Sequence, residues 1–181
     1  MRIISGKARG IKLYSLEGST TRPTLDRVKE SLFNIIQNQV PECTFLDLFS
    51  GSGAIGLEAA SRGAKKTILC EKNKAAISII KKNIEKTHLE DKVKLYENSY
   101  ENLLNTINEK FDIIYIDPPY KTDFAYEATK LILKNNLLNE KGTIIIETDE
   151  EERIIKQIEK LEIEIVNRRR YGRVHLVFLE K

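Results

Sequence analysis

The sequence predicts a three-layer α/β protein: a mainly parallel sheet with helices on both faces. Three observations carry this. From Thr44 onward, short apolar runs alternate with helical stretches, the rhythm of successive βαβ units. Two of the runs, Ile113-Ile114-Tyr115-Ile116 and Thr143-Ile144-Ile145-Ile146, have no polar alternation, as in strands buried on both sides. The final two runs flank Tyr171-Gly172 closely enough to form an antiparallel hairpin.

Residues 1–41 are read as an N-terminal extension and 42–181 as the main domain. Two weakly alternating segments, 2–4 and 10–14, with Gly6 and Gly10, suggest a small hairpin. A helix follows Arg22-Pro23-Thr24. Thr24 is its candidate N-cap, and Leu25, Val28, Leu32, Ile35 and Ile36 fall on one face. It should stop before Pro41. In the main domain the predicted strands are 44–49, 66–71, 93–97, 111–117 and 142–148, with helices over 56–62, 73–87, 99–108 and 124–135 between them. A helix over 151–160 and strands over 162–168 and 173–179 complete seven strands.

Composition narrows the class. A chain of 181 residues implies about one domain. With 41% hydrophobic residues it can build a core, which excludes disorder throughout. No apolar run approaches the roughly 18 residues of a membrane span, and the N-terminus lacks a secretory apolar region. Cys43 and Cys70 show no metal-ligand spacing and read as small buried apolar residues. No metal is expected. His88 and His175 have no nucleophile or metal partner in the sequence. Glu147-Thr-Asp-Glu-Glu-Glu152 reads as acid at a helix start, where the helix dipole favours it. The expected setting is the cytoplasm.

Net charge is +3, but residues 1–40 carry +4 and the remainder −1. A basic N-terminal module on a near-neutral body points to a polyanionic partner.

The chemistry concentrates in two motifs. Asp47-Leu-Phe-Ser-Gly51-Ser-Gly53-Ala-Ile-Gly56 follows the first strand and opens a helix. Its glycines permit a tight turn and close backbone approach to a ligand, with the helix N-terminus behind it. Glu71 ends the second strand, 20 residues after Gly51, where a carboxylate can accept from both hydroxyls of an adenosine ribose. Dinucleotides and S-adenosylmethionine both fit. Asp47 favours the second, because an acid would repel a pyrophosphate but can meet a methionine ammonium. The second motif is Asp117-Pro118-Pro119-Tyr120, after the fourth strand. The prolines lack N–H groups, so this backbone can only accept hydrogen bonds. Convergent acceptors beside an aromatic face suit an exocyclic amino group on a stacked planar base.

With these motifs in place, the chain resembles seven-stranded, S-adenosylmethionine-dependent amino-group methyltransferases. Arg2-Ile-Ile-Ser-Gly-Lys-Ala-Arg-Gly10 and Arg22-Pro-Thr-Leu-Asp-Arg-Val-Lys-Glu30 extend the resemblance over nearly the whole chain, to the bacterial 16S ribosomal RNA guanine-N2 methyltransferase family. The resemblance implies a Rossmann-like sheet of order 3-2-1-4-5-7-6, strand 7 antiparallel, and methyl transfer to N2 of one guanine. Its cofactor residues would be Asp47, Phe49, Gly51, Ser52, Gly53, Gly56, Glu71, Lys72, Asn98 and Ser99. Related enzymes often place an acid where Asn98-Ser99 stands. The catalytic motif would be Asp117, Pro118, Pro119 and Tyr120. Arg2, Lys7, Arg9, Lys12, Arg22, Arg27, Arg168 and Arg170 are the candidate RNA contacts. The implied partner is 16S ribosomal RNA within a small-subunit assembly particle, and the enzyme is expected as a monomer.

Other readings stay open. Asp-Pro-Pro-Tyr also occurs in adenine-N6 DNA methyltransferases, against which a chain this short without a DNA-recognition domain argues. Glutamine methyltransferases of release factors usually carry Asn in place of Asp117. A dinucleotide oxidoreductase would leave Asp117-Pro118-Pro119-Tyr120 unexplained, and a non-catalytic RNA-binding module would not need the intact glycines and Asp117.

Overall fold

The computed structural model describes residues 1–16, 23–119 and 121–181, with the backbone alone for Pro23, Thr24 and Leu25. Arg22, Tyr120 and the side chains of Thr24 and Leu25 therefore lie outside the described residues.

Seven strands form one sheet: β1 (Thr44–Asp47), β2 (Lys66–Cys70), β3 (Val93–Tyr96), β4 (Phe111–Ile116), β5 (Leu138–Thr148), β6 (Glu164–Tyr171) and β7 (Val174–Glu180). Their order is β3-β2-β1-β4-β5-β7-β6. The first five are parallel and β7 runs antiparallel to both neighbours. The helices are α1 (Pro23–Ile35), α2 (Ala54–Ser61), α3 (Lys74–Thr87), α4 (Tyr100–Thr106), α5 (Phe124–Lys134) and α6 (Glu151–Ile158).

Strand alternation divides the core into faces. On β1, β4 and β5, Leu46, Ile114, Ile116, Ile144 and Ile146 pack with Leu103 of α4, Ala128 and Ile132 of α5 and Ile158 of α6. Phe45, Ile113, Tyr115 and Ile145 point the other way, onto Val28, Leu32, Phe33 and Ile36 of and after α1. Burying one such side chain contributes about 1.5–3 kcal/mol, which explains strands apolar on both sides. A third cluster joins Ile3, Ala8 and Leu13 to Ala54, Leu57 and Ala60 of α2.

The N-terminal hairpin is only rudimentary. One bridge, Arg2 to Lys12, replaces the two expected strands. The segment is held instead by α2: Ala8 N–H donates to Ser61 Oγ, and Ile4 and Ser5 donate to the Glu58 carboxylate. Backbone donors satisfied by side chains need no ladder.

Other differences lie at element ends. Strand β5 begins at Leu138 rather than 142, because Leu138 pairs with Phe111 across a register irregularity. Strand β6 extends through Arg168, Arg169 and Arg170 to the turn at Gly172. Alternation would have sent one of the three into a packed face, yet all are exposed. This is an edge strand, where charge is tolerated and blocks pairing with other chains. Glu147 is not at a helix start. It belongs to β5 and is buried, while Glu151 and Glu152 occupy the first turn of α6.

Candidate active site

Two adjoining cavities open at the carboxyl ends of β1, β4 and β5, where α/β sheets hold ligands. Phe49, Gly51 and Asp117 line both. The first, of about 380 Å³, lies over Glu71, Lys72 and Asn98, with walls from Leu48, Tyr100 and Phe124. The second, of about 330 Å³, is lined by Asp47, Ser50, Ser52, Tyr115 and Glu147, with Val28 and Lys29 of α1 opposite.

The glycine loop builds the junction. Gly51 and Gly53 adopt positive φ of 55° and 79°, which most side chains resist. A Cβ on Gly56 would lie 2.1 Å from Leu69 Cδ2, so this helix turn packs against β2 only without one. Gly56 N–H donates to Asp47 Oδ2 at 3.0 Å, fastening the loop to the end of β1. Burial, with a smaller push from the Glu71 charge, raises the Asp47 carboxyl to about 7, against the pull of the Gly56 N–H.

Glu71 is fixed from two sides. Its Oε2 accepts from Gly51 N–H at 2.9 Å, and its Oε1 from Lys72 and Asn73 N–H. An ionised carboxylate has about four acceptor sites, so with three occupied one remains for a ribose hydroxyl. Lys72 extends over the Phe124 ring, its Nζ 5.7 Å from the centroid. The Phe49 and Phe124 rings lie parallel with centroids 6.3 Å apart. Asn98 Oδ1 already accepts from Ser99 N–H and Asn102 Nδ2. Among the described residues only its Nδ2 donor is unpartnered, which suits a ring nitrogen better than an amino group. Ser99 caps α4 and does not line either cavity.

Asp117 is partly buried where the cavities meet, followed by Pro118 and the exposed Pro119. Burial, then the Glu147 and Asp47 charges, hold its carboxyl well above the usual range. Glu147 is raised too, again by burial first, although the Tyr115 hydroxyl donates to its Oε2. Three carboxyls thus gather at three adjacent strand ends, Asp117 beside Glu147 and Asp47 level with Tyr115, two residues lower. Arg2, Lys7, Arg9, Lys12, Arg27, Arg168 and Arg170 are all exposed and outside both cavities.

Sequence reading missed the apolar walls Leu48, Tyr100 and Phe124, and the buried polar set Lys29, Tyr115 and Glu147. Tyr100 and Phe124 had one available signal, since each begins the helix that follows a strand end. Lys29 had none. It is buried in α1, its Nζ 3.1 Å from Glu58 Oε2 and 2.5 Å from the Arg2 carbonyl.

The residues fit an adenosine-bearing cation: an apolar slot, a carboxylate at its end, and Asp47 beyond the glycine turn. Sheet order, glycine loop and the acid–proline–proline corner together define an S-adenosylmethionine-dependent methyltransferase. Residues 1–180 match the family described as Conserved hypothetical protein 95. The chain is 37% identical over 158 residues to ribosomal RNA small subunit methyltransferase D of Haemophilus influenzae, covering 86% of this chain and 82% of that one. It is 33% identical over 151 residues to the Escherichia coli protein of the same name, covering 83% and 76%. A solved structure of a Thermus thermophilus protein of unassigned function superposes with a TM-score of 0.82 at 30% identity, covering 100% of this chain and 99% of that one. The chain belongs to the ribosomal RNA small subunit methyltransferase D family.

Among the described residues no group of three or more His, Cys, Asp or Glu could hold a metal ion, and no helix is long and apolar enough to cross a membrane.

Proposed function

We propose that this protein methylates the exocyclic N2 of one guanine in 16S ribosomal RNA, using S-adenosylmethionine. The observation that carries the reading is Asp117 at the junction of two cavities, one with Pro118 on its wall suited to adenosine, the other with room for the methionine end and a target base. The names of the relatives support ribosomal RNA as substrate. A small-subunit assembly particle as the form of that RNA, and action as a monomer, belong to the same proposal.

When bound, S-adenosylmethionine supplies an electrophilic methyl group on a sulfonium sulfur. Glu71 would hold its ribose, Phe49 and Phe124 its adenine, and Asp47 with the loop from Gly51 its methionine end. Lys72 would cover the adenosine edge, with Asn98 at the ring nitrogens.

Guanine N2 is a weak nucleophile because its lone pair is delocalised into the ring. The Asp117 carboxylate and the Pro118 carbonyl would accept its two N–H groups and turn the lone pair towards the cofactor cavity. Pro119 lacks an N–H that could compete. Orientation of this kind supplies about 7–11 kcal/mol of a barrier at best. Tyr120 would stack on the base, a contact worth about 1–3 kcal/mol. The raised Asp117 carboxyl could also receive the departing proton, although the methylated amine is acidic enough to lose it to water. A paired guanine hides N2 in the minor groove, so the target must be unpaired or flipped out. The exposed Arg2, Lys7, Arg9, Lys12 and Arg27, with Arg22, Arg168 and Arg170, would hold phosphates, which position RNA without reading sequence.

The test is transfer of a radiolabelled methyl group to small-subunit RNA, naked and in particles, with nucleoside analysis. N2-methylguanosine at one site is expected. Asp117→Ala should abolish transfer and leave cofactor affinity nearly unchanged. Label in N6-methyladenosine or in protein overturns the base assignment.

A further inference from the structure

We infer that Glu147 is the residue that selects guanine, by accepting a hydrogen bond from the ring N1–H beside the amino group that Asp117 holds. The inference rests on the amino-group reading above and adds what determines the base.

Ile116 of β4 pairs with Ile146 of β5, so the next residues, Asp117 and Glu147, stand side by side. Asp47 ends β1 on the other flank of β4. The three acids therefore run in the order Asp47, Asp117, Glu147 across adjacent strand ends. Asp47 and the glycine loop, which would hold the methionine end, form one side of the second cavity, and Glu147 of β5 lines it too. A base whose amino group is held at Asp117 must extend its ring away from the loop, towards β5.

Glu147 is built for contact there. It is 7% exposed, and it lines the second cavity together with Asp117. The hydroxyl of Tyr115, on the same face of the sheet, donates to its Oε2. Its Oε1 has no hydrogen bond from any described residue. A carboxylate fixed at one oxygen, with no described donor at the other and that oxygen open to solvent, is free to accept a donor from a ligand in the cavity.

Base chemistry then decides. Guanine, adenine and cytosine all carry exocyclic amino groups. Only guanine has an N–H on the ring nitrogen next to it. Adenine and cytosine present a lone pair at that position, which would face the carboxylate oxygen and leave the acid unpaired. Sites built around a polar contact reject analogues that lack it far more strongly than apolar pockets do. Glu147 thus welcomes guanine and excludes both competitors, and Tyr115 acts as its positioning residue.

The probe is 2-aminopurine, which keeps the amino group but has an unprotonated ring nitrogen beside it. Small-subunit particles are rebuilt from ligated RNA with guanine or 2-aminopurine at the methylated position. The wild-type protein should show kcat/KM at least tenfold higher on guanine. Glu147→Gln offers an amide donor to the bare ring nitrogen, so the ratio should fall to within about twofold, or invert. Glu147→Ala should lower the guanine rate without raising the other. S-adenosylmethionine affinity within twofold of wild type confirms that each variant is folded. Equal wild-type rates on the two bases, or a ratio unchanged by Glu147→Gln, overturn the inference while leaving methyl transfer to guanine intact. Absence of transfer to guanine by the wild-type protein overturns the amino-group reading and this inference with it.

Discussion

At the scale of single residues, Asp47 meets two opposed demands. Its Oδ2 must accept the Gly56 N–H that closes the loop, yet its carboxylate is stripped of water. Its carboxyl is raised to about 7 in the folded protein, against an ordinary value near 3.8. Between those values the folded state holds a proton that the unfolded chain has released. Raising pH through that window therefore lowers stability. Asp47→Asn removes this titration while keeping an oxygen for Gly56. Its stability relative to wild type should improve from pH 4 to pH 7, by at most about 1.4 kcal/mol per pH unit. Urea unfolding at several pH values checks this, and a pH-independent difference would exclude it. Two glycines allow a second comparison. Gly6 and Gly10 share a φ of 85°, but a Cβ on Gly6 would lie 1.8 Å from the Ser61 carbonyl oxygen, whereas Gly10 has nothing within 4 Å. Gly10→Ala should cost about 1–2 kcal/mol from the left-handed backbone alone. Gly6→Ala should cost roughly 2–5 kcal/mol, since backbone must also move. Parallel denaturation curves decide it.

Among the elements, α2 is the one on which the N-terminal half is assembled. Glu58, fully buried, accepts from Ile4 and Ser5 N–H and pairs with Lys29 of α1 and Arg62. Burial lowers the Lys29 amine, with the Glu58 charge opposing that shift. Removing one partner from such a pair leaves an uncompensated buried charge. Glu58→Ala should therefore destabilise the protein by about 3–5 kcal/mol. The double variant Lys29→Met/Glu58→Leu should lose less than Glu58→Ala alone. Thermal melts of the wild type and both variants test this, and a double variant worse than Glu58→Ala would refute it. The same pair ties α1 to the wall of the second cavity, so Glu58→Ala should also weaken RNA methylation more than cofactor binding.

For the whole molecule, the question is where charge meets RNA. Exposed Arg2, Lys7, Arg9, Lys12 and Arg27 lie in the N-terminal part of the chain, and Arg168 with Arg170 on the far edge strand. Removing one cation that neutralises a phosphate should reduce the salt dependence of binding by about 0.7–0.9 in log–log slope. Arg9→Ala with Lys12→Ala should lower both affinity and slope, with the cofactor constant unchanged. Replacing Lys81 and Lys130, which already pair with Glu97 and Glu127, should do neither. RNA binding measured from low to moderate salt separates the two sets.

The sequence by itself determined what short-range rules govern. Apolar runs of strand length between helical stretches specify parallel strands, and turns needing positive φ specify Gly51 and Gly53. A strand ending in Asp117 and two prolines specifies a corner that only accepts hydrogen bonds. These signals reside within a few residues, so they are legible without the fold. Adjacency between distant segments was decided only by the tertiary structure. Tyr115 and Glu147, 32 residues apart, meet because β4 and β5 pair in that register. Lys29 reaches Glu58 because α1 packs beside α2, and Tyr100 faces Phe124 because α4 and α5 share one side of the sheet. An acid in a charged run reads as solvated until packing removes its water. Backbone preference is local, whereas desolvation and charge proximity belong to whatever the completed sheet and its covering helices bring together.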